Sequence, residues 1–156
     1  MRILFICTHN RCRSIMSEAI TNRIAGDRID VKSAGSKPAG VVHPLSLHYL
    51  LQAGYPTEGL QSQSWNDFAG FNPDVVITVC NSAAEEECPL YLGGALRVHW
   101  GLSDPSKEVD SQAKQESGFL ECIHKIEQRA EKLREVTSLN LTGTALHQAL
   151  LTIGEK

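Results

Sequence analysis

Residues 2–14 read RILFICTHNRCRS: a short, mostly apolar run, a cysteine, a polar loop, and Arg13 six positions after Cys7. Arg2–Ile6 is the kind of run that forms a buried strand of a parallel sheet. Past the loop, SIMSEAITNRIAG (14–26) sets Ile15 or Met16, Ala19, Ile20 and Ile24 at helical spacing, with Gly26 as a stop. A strand, a tight loop and a helix in that order aim several backbone N–H groups and the positive helix end at one point. That point suits a tetrahedral oxyanion. Cys7, at the base of the loop, is then expected to hold a stabilised thiolate, its pKa drawn below the free value of about 8.5. Arg13 brings a planar, permanently charged fork that can grip two oxyanion oxygens. Asn10 tolerates the left-handed backbone a tight loop often needs, and Ser14 places a hydroxyl in reach of the thiolate. Thr8, His9, Asn10, Arg11, Cys12, Arg13 and Ser14 are therefore the candidate oxyanion-binding residues. The competing reading is a structural Cys7 with a solvent-facing Arg13. His9 either tunes the site or faces solvent.

Outward from this loop, strand and helix patterns alternate. IDVKSAGS (29–36) reads as a strand running into a glycine turn, and HPLSLHYLLQAG (43–54) as a helix with Pro44 at its first position and Gly54 at its end. Gly59–Ala69 is polar and turn-rich. PDVVITVC (73–80) is a second β-branched run, and it too ends on a cysteine. ALRVHWGLSDPS (95–106) reads as a short strand feeding a loop. A long helix is expected over about 113–139, with Phe119, Ile123, Ile126, Ala130 and Leu133 along one face. TGTALHQALLTIGEK (142–156) carries Leu146, Leu150 and Ile153 at the spacing of a final short helix.

This alternation predicts a three-layer α/β fold, a small parallel sheet of about four strands with helices on both faces. The chain reads as one domain over 1–156, with 140–156 as a C-terminal helical extension. In such sheets the ligand binds beyond the carboxyl ends of the strands. Cys7, Cys80 and the loop after His99 all fall at that end.

The net charge of −3 supplies no electrostatic reason to expect nucleic acid or an anionic membrane as a partner. No apolar stretch approaches a membrane span, and the apolar run in MRILFICTHN is too short for a signal peptide, so a cytoplasmic protein is expected. The five cysteines, Cys7, Cys12, Cys80, Cys88 and Cys122, form no CxxC pair, which argues against zinc; no metal site is assigned. In a reducing compartment they read as catalytic or core residues rather than bridges. On residues alone Cys80 is either reactive or a core thiol, Cys88 reactive or a surface thiol, and Asp104 an acid or a turn former before Pro105. Cys12 and Cys122 read as structural.

CTHNRCRS resembles the active-site loop of the low-molecular-weight protein tyrosine phosphatase family, Cys-x5-Arg-Ser. SAG at 33–35 and Asp104-Pro105 within HWGLSDPS extend the resemblance, in the family's order, to about residue 106. It implies Cys7 as nucleophile, Arg13 as clamp and Asp104 as general acid, with His99 and Trp100 positioning the acid loop. The fold serves two chemistries. VITVCNSAAEEECPLY (76–91), HWG and the step Cys88-Pro89 are similar to the thiol-coupled arsenate reductases, and Ser106-Lys107 stands where the phosphatases carry tyrosines.

The resemblance thus implies reduction of arsenate to arsenite, with phosphate or sulfate as mimics. Cys7 attacks arsenic, Cys80 attacks Cys7, and Cys88 then takes over the disulfide. An external dithiol, thioredoxin or a glutaredoxin/glutathione system, resets the enzyme, and no tightly bound cofactor is implied. The alternative is a phosphatase of phosphotyrosine or small aryl phosphates with incidental cysteines. A non-catalytic oxyanion-binding or redox-sensing module is a third reading, against which Asp104 argues. Some relatives bind potassium beside the loop. Asn10, Glu18 and Ser33 match that pattern, but Trp65 stands at the acidic position and Asp67 is displaced, so the metal is not assigned.

Overall fold

Four short strands align in parallel in the order β2-β1-β3-β4 in a computed structural model that describes residues 1–85, 92–108 and 110–155. They are β1 (Arg2–Ile6), β2 (Asp30–Ala34), β3 (Val75–Thr78) and β4 (Leu96–His99). The helices are α1 (Arg13–Ala25), α2 (Pro44–Gln52), α3 (Asn81–Glu85), α4 (Gln112–Thr137) and α5 (Gly143–Gly154). Short 3-10 turns cover Trp65–Phe68 and Pro105–Lys107. The α/β, parallel, four-stranded arrangement expected from the alternation is the one observed. β1 steps to β2 on one side, whereas β2 to β3 and β3 to β4 step to the other. Right-handed crossovers then put the connections on opposite faces.

The central strands carry no alternation because both faces are covered: Ile3, Leu4, Phe5 and Ile6 are buried, as is every residue of β3. β4, at the edge, is only partly buried. α5 lies against it, and His147 Nε2 meets the carbonyl of Arg97 at 3.2 Å. An edge strand left bare invites pairing with another chain, and a covering helix removes that option.

On α4 the predicted stripe is the observed buried face, joined by Cys122 and Arg129. It packs against α1, and Phe119 stacks on Tyr49 of α2 with ring centroids 4.9 Å apart. Pro44 sits in the first turn of α2, where His43 Nδ1 accepts the Leu45 N–H at 3.1 Å. The polar stretch 59–69 contains the Trp65–Phe68 turn, closed by a capping box between Ser64 and Asp67.

Candidate active site

β1 ends at Ile6 and delivers Cys7 to the carboxyl edge of the sheet; α1 begins at Arg13 with Cys12 as its N-cap. The N-cap side chain accepts no hydrogen bond from the helix, so among the described residues no N-cap side chain covers the first amides of α1. Asn10 takes the left-handed conformation expected of it, φ 46°, and is fully buried. Its Nδ2 donates to Ser14 Oγ at 2.8 Å and Ser33 Oγ at 3.0 Å, and its Oδ1 accepts from the Gln63 amide at 2.9 Å. Ser33 Oγ in turn donates to Glu18 Oε1 at 2.8 Å. This buried chain ties the loop to α1, β2 and the 60s segment. Ser14 therefore anchors the loop through Asn10, rather than through the thiolate bond expected of it.

The backbone carbonyls of the loop are held from outside. Thr8 O accepts from Lys37 N, His9 O from Ala39 N and Arg11 O from His43 N, each at 2.9 Å. Gly35 explains the SAG motif: a Cβ there would stand 2.6 Å from Thr8 O and 3.0 Å from Cys7 O, so only glycine lets β2 close on the loop. His9 is exposed, and its Nδ1 pairs with Lys37 O at 3.1 Å. The exposed side chain of Arg11 adds positive charge at the rim.

Cys80 follows β3 and opens α3. Its Sγ receives the Thr8 N–H at 3.4 Å and lies 3.6 Å from Thr8 Oγ1. The hydrogen bond from Cys7, aided by the Ala83 and Thr8 groups, outweighs burial and draws Cys80 down to about 4. Cys7 is pushed up by that same bond, in which it is the donor, and by its burial; the charge of Arg13 opposes both. Arg13 acts on Cys7 in the direction expected from the sequence. The two thiols are thus a coupled pair, each acting first on the ionisation of the other.

Arg13 and Asp104 are together, but they face each other. Arg13 Nη1 donates to Leu102 O at 3.0 Å, and Nη2 lies 3.5 Å from Asp104 Oδ2. Asp104 Oδ1 accepts from the amide and hydroxyl of Ser106 at 3.0 and 2.6 Å, capping the Pro105–Lys107 turn. Turn former and neighbour of the guanidinium are thus both true of Asp104. His99 holds the start of α3 instead of the acid: Nδ1 pairs with Thr78 Oγ1 at 2.9 Å and Nε2 with Asn81 Oδ1 at 3.2 Å. Burial pushes Cys12 up to about 11 and Cys122 up to about 12, so both behave as core thiols. Cys88 lies outside the described residues.

Of the residues matched to a potassium site, Asn10, Ser33 and Glu18 form one buried hydrogen-bonded chain, and Asp67 is committed to the Ser64 cap. No metal is assigned to them.

Thr8, as a partner of Cys80, went unread in the sequence, although a signal for it exists. Ile6 pairs with Thr78 in parallel register, and two residues further on Thr8 falls opposite Cys80. Ser33 is seen to serve the loop only once β2 is laid beside β1.

The family described as low molecular weight phosphotyrosine protein phosphatase matches residues 2–143. An arsenate reductase of Bacillus licheniformis is 32% identical over 133 residues, 85% of this chain and 94% of that protein. A thioredoxin-dependent arsenate reductase of Corynebacterium glutamicum is 30% identical, with a TM-score of 0.68 over 90% of this chain and 63% of that one. A structure described as an arsenate reductase in the phosphate binding state shares the fold at a TM-score of 0.71, covering 86% of this chain and 96% of that one.

Proposed function

This chain belongs to the low molecular weight phosphotyrosine protein phosphatase family, and we propose that within it the chain reduces arsenate to arsenite by a relay of Cys7, Cys80 and Cys88. The observation that carries this reading is the placement of a second thiol against the oxyanion loop: Cys80 Sγ receives the Thr8 N–H at 3.4 Å, and Cys7 is the group that acts most strongly on its ionisation. A phosphatase needs one nucleophilic thiol and water; it has no use for a second, low-pKa thiol against the first.

Arsenate enters the concave side of residues 8–14, and Arg13 turns from Leu102 and Asp104 to two of its oxygens. With the pair's one proton on Cys80, the Cys7 thiolate attacks As(V). Asp104 protonates the departing oxygen, which leaves as water. Cys80 then attacks Cys7 Sγ. The electron pair of the S–As bond stays on arsenic, which leaves as As(III) arsenite carrying the Cys80 proton, and a Cys7–Cys80 disulfide forms. Cys88 attacks Cys80, Cys7 departs as thiolate, and the Cys80–Cys88 disulfide is reduced by an external dithiol. The thioredoxin dependence of the Corynebacterium glutamicum relative favours thioredoxin as that dithiol, in the reducing cytoplasm.

The test is NADPH consumption driven by arsenate, with thioredoxin and its reductase in one arm and glutaredoxin with glutathione in the other. Turnover in the thioredoxin arm that stops in Cys80→Ser is expected. Wild-type turnover by Cys80→Ser overturns the relay.

A further inference from the structure

Arg129 is 5% exposed and, among the described residues, has no carboxylate partner. Both Nη atoms of its guanidinium donate to carbonyls, while Nε has no partner among the described residues: Nη1 reaches Trp100 O at 3.0 Å and Gly101 O at 3.3 Å, and Nη2 reaches Gly154 O at 3.2 Å. It also stands 6.0 Å from the centroid of the Trp100 ring. A buried cation without an anion is costly, and it persists only where dipoles replace the counter-ion. The last carbonyls of α5 supply one such dipole, the negative end of a twelve-residue helix.

α5 is tied to the same place twice more. Trp100 Nε1 donates to Leu150 O at 2.9 Å, and a Cβ on Gly154 would fall 2.5 Å from Trp100 Cδ1 and 3.0 Å from His99 O. The helix end is pressed onto the chain leading out of β4 so closely that residue 154 must be glycine. The carbonyls gripped by Arg129 belong to residues 100 and 101; the next one, Leu102 O, is gripped by Arg13, which also meets Asp104. Two arginines thus hold successive carbonyls of one loop, one in the active site and one behind it. Nearly all of α5 lies beyond the stretch matched to the family.

We propose that Arg129, braced by the carboxyl end of α5, is a positioning residue that sets where the 100–104 loop carries Asp104. It rests on the catalytic role given to Asp104 above. Arg129→Met keeps the length and apolar stem and removes the donors. Arsenate kcat/KM is expected to fall about tenfold in the wild-type background and by less than about twofold in an Asp104→Asn background, because the acid being positioned is already gone. The loss in Arg129→Met falls on kcat, while arsenate KM changes little. Gly154→Val, which displaces the brace without touching Arg129, gives the same pattern and serves where Arg129→Met fails to fold. Equal loss in both backgrounds, or no loss in either variant, overturns the proposal. Hydrolysis of a small aryl phosphate, which uses the same acid, is run in parallel. A wild type that hydrolyses it but ignores arsenate refutes the reductase reading, and the strut is still decided by the aryl phosphate rates.

Discussion

Cys7→Ala isolates the bond on which the electrostatics of the site turn. In the wild type Cys80 is held below an ordinary thiol chiefly by the Cys7 thiol, aided by the Ala83 amide and two groups of Thr8. A hydrogen bond to a charged acceptor contributes about 1.5–3 kcal/mol. At about 1.36 kcal/mol per pH unit, its loss moves the half-ionisation of Cys80 upward by about one to two pH units. The Thr8 and Ala83 donors remain, so the thiol stays more acidic than a free one at about 8.5. The sign follows from the donor's identity: Cys7 stabilises only the charged form of Cys80, so its removal can only raise that pKa. The assay is ultraviolet thiolate absorbance against pH, with Cys7→Ala/Cys80→Ala as the blank. An unmoved midpoint would show that Cys7 is not the donor. A midpoint at the free-thiol value would show that the Thr8 and Ala83 groups contribute nothing.

Arg13→Lys keeps the charge but loses the planar fork, and arsenate kcat is expected to fall about a hundredfold, read by steady-state kinetics with excess thioredoxin. Phe119→Ala empties a fully buried site and unstacks Tyr49, so urea denaturation is expected to show a loss of about 4 kcal/mol.

The sheet was legible because its strands are short apolar runs with covered faces, and the loop because Cys7 and Arg13 stand at a spacing that strand, turn and helix make meaningful. α4 was legible from its stripe, but Arg129 was not, since a charged residue on a helix is read as solvent-facing and only the carbonyls of residues 100, 101 and 154 reverse that. The contact between Thr8 and Cys80 was hidden for a similar reason. Thr8 and Cys80 are 72 positions apart, and their hydrogen bonds exist only through the parallel register of β1 and β3. Asp104 showed its position but not its present partner, because the pose of Arg13 depends on the Leu102 carbonyl. Asp67, near the acidic position of relatives, is diverted by the Ser64 cap, a local competition that distant matching does not reveal.

The relay is tested most directly by a single turnover of Cys88→Ser with arsenate and no external dithiol, followed by acid quenching and mass spectrometry of the peptides. A Cys7–Cys80 disulfide formed in step with the arsenite released is the expected result. Arsenite released while Cys7 and Cys80 remain free thiols would contradict the account.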